Sequence, residues 1–225
     1  MLRITKKIMI RSIIQFSPVR SGSTVVASLL RRIFPRVTVR KIHKMGTISR
    51  KLHLFLNGPV VSTYRYPLDS VASELKYRNM KPSALAIEKA CQNLERKGLL
   101  ELNIVLNRKN ILLLKYEEYY GDFDFLFDSF EDFFSIDIDE NVRTQLKDDF
   151  SIESVERLTK GMKARQYTDE KTHFHGRHIS DTKGMPGAYK SFFTEEQIEW
   201  LRYRFSSFIQ DFGYLGDEID NTTKL

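Results

Sequence analysis

Apolar runs and amphipathic stretches alternate along the first half of the chain. Four runs rich in aliphatic and β-branched side chains predict strands at 13–16, 36–43, 60–65 and 111–116. Apolar residues spaced three and four apart predict the intervening helices at 23–34, 46–56, 67–77 and 83–98. Strands that alternate with helices favour an α/β fold with three layers, α/β/α, around a central parallel sheet.

The second half of the chain predicts mainly helices. Phenylalanines recur at helical spacing between Phe123 and Phe134, which indicates a core-facing stripe. Thr194 and Gln197 form a capping-box pattern at the start of the last helix. Its predicted inward face comprises Ile198, Leu201, Phe205 and Phe208.

The turn between the first strand and the first helix has the chemistry of an anion site. Residues 18–24 have the sequence PVRSGST, in which Arg20 supplies a positive charge and Gly22 permits a tight turn. A helix N-terminus adds unpaired N–H groups and the positive end of the helix dipole. An ordinary turn capped by a serine or threonine explains this stretch alone equally well. The nucleotide-binding patterns GxxxxGK[ST] and GxGxxG are absent.

Charge is distributed unevenly along the chain, whose formal net charge is +7. Residues 1–60 hold thirteen Lys or Arg and no acid, whereas residues 122–140 hold eight acids and no base. The basic block is compatible with a small polyphosphate, a nucleic acid or a solvated surface. The length of 225 residues favours a single domain, 1–225, in which 150–182 is the least regular region. One cysteine, no membrane-length apolar run and no signal-peptide pattern favour a cytoplasmic protein.

A second polar cluster follows the third predicted strand. Arg65 ends that strand, and Ser73 lies eight residues later on the next helix. With this motif the chain strongly resembles the sulfotransferases that use 3′-phosphoadenylyl sulfate (PAPS). Their first signature, P-x-[KR]-[ST]-G-[ST]-[ST], matches residues 18–24, and their R-x₇-S motif matches Arg65 and Ser73. Their C-terminal signature, R-K-G-x-x-G-x-W-K, matches at Lys183, Gly184 and Gly187.

Three positions depart from the cytosolic members of that family. Thr182 stands where they usually have Arg, and Tyr189 stands where they have Trp. Val25 occupies the position of the aromatic residue that stacks on adenine. Arg177 is a candidate replacement for the missing arginine.

The resemblance implies a P-loop NTPase-like sulfotransferase fold and transfer of a sulfuryl group from PAPS to a hydroxyl or amine. The product of PAPS is adenosine 3′,5′-bisphosphate (PAP). In the family the first loop holds the 5′-phosphosulfate, the second motif holds the 3′-phosphate, and the C-terminal loop closes over it. The scheme requires no metal. The implied cofactor-binding residues are Arg20, Ser21, Gly22, Ser23, Thr24, Arg65, Ser73, Tyr116, Lys183 and Gly184, with Tyr116 near the adenine.

The resemblance also implies three catalytic residues. Arg20 would neutralise charge on the leaving phosphate, and Lys41 would assist the sulfuryl oxygens. His43, in a K-I-H sequence like the K-T-H of cytosolic members, is the expected base. His53 is the competing candidate. A glutamate base within residues 1–68 is excluded because they contain no carboxylate.

The acceptor is expected to be a small molecule or a glycan, bound by variable loops at 44–58, 78–82 and 150–180. The polar, basic sequence of residues 164–178 favours an anionic or sugar acceptor over a flat apolar phenol. A metal site in HFHGRH is disfavoured because no cysteine or helical H-x₃-H pair supports it. The function therefore expected involves neither nucleic acid nor a membrane span. The alternatives are a P-loop kinase, a non-catalytic nucleic-acid or nucleotide binder using the basic N-terminal region, and a sulfotransferase fold that has lost its activity.

Overall fold

The computed structural model describes residues 10–44, 46, 58–106, 108–163, 166, 168, 174–176 and 179–214. Four sequence-based expectations lie outside these residues. They concern the helix predicted at 46–56, the competing base His53, the substitute Arg177, and the histidines His173 and His178.

Four parallel strands form the central sheet in the order β2-β1-β3-β4. They lie within two residues of the predicted bounds, because their aliphatic and β-branched side chains suit a sheet covered on both faces. The order reverses direction between β1 and β3, and such switch points open a crevice at the carboxyl ends of the strands. The strands are β1 (Ser12–Phe16), β2 (Thr38–Ile42), β3 (Val60–Tyr64) and β4 (Ile111–Lys115).

Helices follow the strands and cover both faces of the sheet. The first group is α1 (Ser23–Ile33), α2 (Pro67–Tyr77), α3 (Ala84–Leu94), a kinked turn (Glu95–Leu99), α4 (Asn103–Leu106) and α5 (Tyr116–Tyr119). The second is α6 (Phe123–Phe134), α7 (Glu140–Phe150), α8 (Ile152–Thr159), a 3₁₀ turn (Ala188–Ser191), α9 (Glu195–Arg204) and α10 (Ser206–Asp211).

Alternate residues of the strands contribute to two hydrophobic cores. Ile13 and Val61 pack with α1, α6 and α7, whereas Ile14 and Val60 pack with α2, α3, α9 and α10. Successive side chains of a strand point to opposite faces, so the two cores confirm the three-layer arrangement. The phenylalanine stripe of α6 belongs to the first core, as expected.

The register of the strands brings four post-strand residues to one edge of the sheet. Phe16 pairs with Ile42, so Ser17 and His43 follow neighbouring strand ends. Tyr64 pairs with Lys115, so Arg65 and Tyr116 are neighbours in the same way. Parallel strands have their carboxyl ends at a common edge, and the candidate site is built there.

Two parts of the fold differ from the sequence-based expectations. Residues 152–159 form a regular helix, although 150–182 was expected to be irregular. The last helix breaks at Phe205, and Phe208 is only partly buried while Ile209 is buried at 7% exposure. Ile209 follows the buried Phe205 at a spacing of four, so it continues the inward face, and Phe208 packs at its margin.

Candidate functional site

A cavity of about 1330 Å³ lies at the carboxyl edge of the sheet. Cations outnumber carboxylates in its lining, where the only acids among the described residues are Glu74 and Asp181. Ser21 alone of the predicted site residues is not part of the lining. The predicted residues that line the cavity are Arg20, Gly22, Ser23, Thr24, Lys41, His43, Arg65, Ser73, Tyr116, Lys183 and Gly184.

Helix α1 begins at this cavity without a side-chain cap. Its N-cap is Gly22 in the left-handed conformation, and within the described structure no side chain caps the first turn. That turn also contains no acidic residue. The alternative of a serine- or threonine-capped turn is therefore wrong. The N-terminal N–H groups carry partial positive charge that favours an anion.

Gly22 is required by tyrosines packed behind the loop. Its φ of 77° is in the left-handed region, and a Cβ there would overlap the Tyr119 hydroxyl and lie 2.7 Å from Cδ2 of Tyr116. The Tyr119 hydroxyl donates a hydrogen bond of 2.9 Å to the Ser21 carbonyl oxygen. Glycine thus lets the loop rest directly on two aromatic rings.

The Ser21 side chain points into the protein interior. Its hydroxyl donates to the Pro18 carbonyl oxygen at 2.7 Å and lies 2.9 Å from Oγ1 of Thr63. Thr63 donates in turn to the Ser17 hydroxyl at 2.8 Å. These bonds fix the loop to β3, and a cofactor contact by Ser21 remains a prediction from the resemblance.

Arg20 is held by Glu74 and Tyr77 of helix α2. Its Nε lies 2.8 Å from Oε2 of Glu74, and its guanidinium carbon lies 3.7 Å from the centre of the Tyr77 ring. Burial alone would raise the pKa of Glu74, but the neighbouring Arg20 and Arg78 lower it instead. Arg20 also has a φ of 65°, and such backbone strain concentrates at functional sites.

Lys41 is a partly buried ammonium beside the first turn of α1. Its Nζ donates to Oγ1 of Thr24 at 2.6 Å. Burial, together with the charges of Arg31 and Arg20, lowers the pKa of Lys41 to about 8. The side chain is thus a cation at neutral pH whose charge is sensitive to further charge in the cavity.

His43 is oriented by the loop after β1. Its Nδ1 lies 2.7 Å from the Ser17 carbonyl oxygen, which can only accept a hydrogen bond. Nδ1 therefore carries the proton in neutral His43, and Nε2 is the basic atom. Burial, together with the charges of Lys41, Lys97 and Arg20, lowers the pKa of His43 to about 4, and the hydrogen bond to Ser17 opposes this shift.

Arg65 lies in the cavity wall at 5% exposure. Its Nη2 donates to the Gly184 carbonyl oxygen at 3.0 Å, and its guanidinium carbon lies 4.3 Å from the centre of the Tyr116 ring. Oδ1 of Asp69 lies 3.9 Å from Nη2 of Arg65. The buried Nε of Arg65 has no hydrogen-bond partner among the described residues, which leaves a donor for a ligand.

Hydrogen bonds to Asp69 of α2 hold the segment after Gly184 at the edge of the sheet. The Asp69 carboxylate accepts hydrogen bonds from the backbone N–H groups of Gly187 at 2.8 Å and Tyr189 at 3.1 Å. Burial raises the pKa of Asp69, opposed by Arg65 and these two bonds. Sequence reasoning assigned Asp69 only to the first turn of α2, because nothing in the chain shows a contact over so long a separation.

Tyr116 and Lys183 complete this part of the wall. Burial raises the pKa of Tyr116 to about 12, so its hydroxyl stays protonated and donates to the Gly184 carbonyl oxygen at 2.9 Å. The Lys183 ammonium lies 3.5 Å from Glu156 of α8. Lys183 has a φ of 52°, a second strained backbone at the cavity.

The cavity contains features that the sequence did not indicate. His175 lies against Tyr77, with ring centres 5.5 Å apart, and burial and the charge of Arg20 lower its pKa to about 4. An apolar wall includes Val25, Phe123, Phe150 and Val155. These residues come from four separate helices, so no local pattern brings them together.

The described residues provide neither a cluster of metal ligands nor a membrane-spanning helix. No group of three or more His, Cys, Asp or Glu side chains in that part of the chain is arranged to hold a metal ion. No helix there combines the length and apolar character needed to cross a membrane.

The fold and the cavity together define a class of protein. The chain is an α/β protein with a parallel sheet and a cationic cavity at the switch point of its strands. Comparison with protein-family models gives no match, and neither does comparison with curated protein sequences.

Comparison with solved structures identifies the fold as that of the sulfotransferases. A mouse sulfotransferase, SULT7A1, complexed with PAP superposes with a TM-score of 0.64 at 17% identity, over 89% of this chain and 84% of that chain. Retinol dehydratase in complex with androsterone and inactive cofactor PAP superposes with a TM-score of 0.64 at 12% identity, over 89% and 81%. The complex of retinol dehydratase with retinol and PAP gives 0.60 at 13% identity, over 90% and 82%. The resemblance seen in the sequence is thus confirmed at the level of the fold.

Proposed function

We propose that the protein is a sulfotransferase that moves the sulfuryl group of PAPS to a hydroxyl or amine of an acceptor. The observation that carries the proposal is the uncapped N-terminus of α1, bordered by Arg20 and Lys41, one strand away from the base His43. A binding site for an anion, two cations and a proton acceptor thus lie at one edge of the sheet.

The residues present suit PAPS in two places. The first turn of α1 offers backbone N–H groups and the hydroxyls of Ser23 and Thr24 to the 5′-phosphosulfate. The buried Nε of Arg65, which has no hydrogen-bond partner among the described residues, suits the 3′-phosphate, and Ser73 lines the same cavity. The apolar wall near Val25 and Tyr116 offers room for adenine. PAPS, when bound, supplies an activated sulfuryl group with a phosphate leaving group.

Three residues divide the chemical work. Nε2 of His43 takes the proton of the acceptor as its oxygen or nitrogen bonds to sulfur. Arg20 offsets the charge that develops on the phosphate oxygen as the sulfur–oxygen bond breaks. Lys41 stabilises the sulfuryl oxygens. Glu74 and Tyr77 restrain Arg20 beforehand, which reduces the reorganisation needed in the transition state.

The cavity lining includes polar and cationic residues that are available to an acceptor. Arg78, Asn93 and Lys97 all belong to it; Glu74 holds Arg78 and Asn93, and Lys97 is near enough to His43 to lower its pKa. Two of the similar structures contain androsterone or retinol, which carry no charged group. We propose an anionic or sugar acceptor here. With labelled PAPS, 4-hydroxybenzoate should be sulfated faster than its neutral methyl ester, and the reverse preference would contradict an anionic acceptor.

The first experiment is calorimetric titration with PAP, using the intact protein, Arg65→Ala and Ser73→Ala. We expect micromolar or tighter binding that is lost in Arg65→Ala and weakened in Ser73→Ala. Arg40→Ala, which removes an exposed arginine of β2, is the matched control and should bind as the intact protein does. Unfolding temperatures of all four proteins separate loss of the site from loss of the fold.

Absence of PAP binding by the intact, folded protein would reject the proposal. Binding that Arg65→Ala and Arg40→Ala weaken to the same extent would indicate general attraction to charge. Hydrolysis of ATP that depends on Mg²⁺ would instead favour the kinase alternative.

A further inference from the structure

Lys76 is a cation of the cavity that no sequence motif indicated. It lies on α2 three residues after Ser73, so the two side chains share one face of the helix. Both line the cavity, as does Arg65. Lys76 and Arg65 also contact one segment, since Lys76 donates to Thr182 and Arg65 donates to the carbonyl oxygen of Gly184, two residues later.

Thr182 holds the end of the Lys76 side chain. The Lys76 ammonium donates to Oγ1 of Thr182 at 3.4 Å, and Nζ lies 5.1 Å from the centre of the Phe192 ring. Oγ1 of Thr182 also lies 3.2 Å from the Ser180 hydroxyl. An ammonium has three N–H donors, so two remain after the bond to Thr182.

No carboxylate among the described residues lies within 4.0 Å of Nζ of Lys76, whereas Arg20 and Lys183 each have one that close. The charge of Lys76 lowers the pKa of Asp69, but from beyond that distance. The ammonium of Lys76 is thus a positive charge in the cavity wall with little local compensation.

We infer that Lys76, positioned by Thr182, is the second cation that binds the 3′-phosphate of PAPS, together with Arg65 and Ser73. The inference rests on the proposed function and explains the departure at position 182. A threonine cannot neutralise a phosphate, but it orients a lysine from helix α2 that can. Helix α2 thus supplies the cation that the family's C-terminal signature supplies as an arginine.

The test compares PAP with adenosine 5′-monophosphate, which lacks the 3′-phosphate, by calorimetry. Lys76→Ala should weaken PAP binding about 10- to 100-fold, the range expected for a charge-assisted hydrogen bond. Binding of the monophosphate should be unchanged. Lys76→Gln keeps a hydrogen-bond donor without the charge, so its affinity for PAP should lie between those of the intact protein and Lys76→Ala. Lys89→Ala, an exposed lysine on α3 outside the cavity, is the control and should leave both ligands unaffected.

A second variant tests the exchange of charge between the two positions. Lys76→Ala combined with Thr182→Arg should recover most of the lost preference for PAP over the monophosphate. If Lys76→Ala keeps the full preference, or loses affinity for both ligands equally, the inference is wrong. If the intact protein does not bind PAP at all, the proposed function itself fails, and this result is distinct from the other two.

Discussion

Nδ1 of His43 lies 2.7 Å from the carbonyl oxygen of Ser17, and this one contact determines which nitrogen of the imidazole is basic. It exists because β1 and β2 end in register, with Phe16 opposite Ile42. The sheet therefore sets both the position and the tautomer of the proposed base.

Replacing that base should slow the chemistry without affecting the cofactor. We expect His43→Ala to lower kcat for sulfuryl transfer about 100- to 10,000-fold, the usual contribution of general base catalysis. The affinity for PAP should stay within about threefold of the intact protein, because Arg65 and the α1 N-terminus are untouched. His175→Ala is the matched control for loss of a cavity histidine. An equal loss in both variants would contradict the assignment of His43.

The pH profile should reflect the low pKa of His43. With a pKa lowered to about 4 by burial and then by Lys41, Lys97 and Arg20, His43 is unprotonated above that pH. The ratio kcat/KM should then rise with pH near 4 and not near the ordinary 6.5.

Lys97→Met tests the cause of the low pKa. Removing that cation takes away one source of the depression, so the acidic limb should move upward, toward 6.5. Lys89→Met should leave the limb in place. An acidic limb at 6.5 in the intact enzyme would contradict the lowered pKa of His43.

Binding of PAP near pH 8 should take up protons. The pKa of Lys41 is lowered to about 8 by burial, Arg31 and Arg20, so part of the population is neutral at that pH. Phosphate groups in the cavity favour the charged form and raise the pKa, which adds a proton to Lys41 on binding. Calorimetry in two buffers of different ionisation enthalpy measures this uptake. Lys41→Met should abolish the uptake, and an unchanged uptake in that variant would contradict the assignment.

Two glycines with the same φ of 77° separate backbone strain from steric conflict. Gly121→Ala introduces only the strain, about 1–2 kcal/mol, because nothing lies within 4 Å of its new Cβ. Gly22→Ala adds the conflict with Tyr119 and Tyr116. It should destabilise the protein by about 1–3 kcal/mol more, and PAP binding should be lost. Denaturant unfolding measures the difference in unfolding free energy between the two variants. Equal losses of stability would mean that the tyrosines move aside at little energetic cost.

Local patterns in the sequence were sufficient for most of the fold. Aliphatic runs predicted the four strands, and the capping box at Thr194 is present with both of its hydrogen bonds. The turn at 18–24 and the pair of Arg65 and Ser73 were found because both lie where a strand meets a helix. Helix α8 was missed because it is only eight residues long, too short a stretch to show a periodicity of its own, and Ser151 alone separates it from α7.

Contacts between distant segments required the tertiary structure. Lys76 with Thr182, Asp69 with Gly187, and Arg20 with Glu74 are separated by 106, 118 and 54 residues. No periodicity or spacing indicates such pairs, because they depend on how α2 meets the loop after β1 and the C-terminal segment at the edge of the sheet.

The sequence by itself determined the alternation of strands and helices and the residue types of the anion site, since both follow from local hydrophobicity, turn chemistry and charge. The tertiary structure decided how those residues act. Strand register oriented His43, burial lowered the pKa values of His43 and Lys41, and packing turned Ser21 inward and Lys76 toward the cavity. These properties depend on the surroundings of each side chain, and only the folded chain supplies those surroundings.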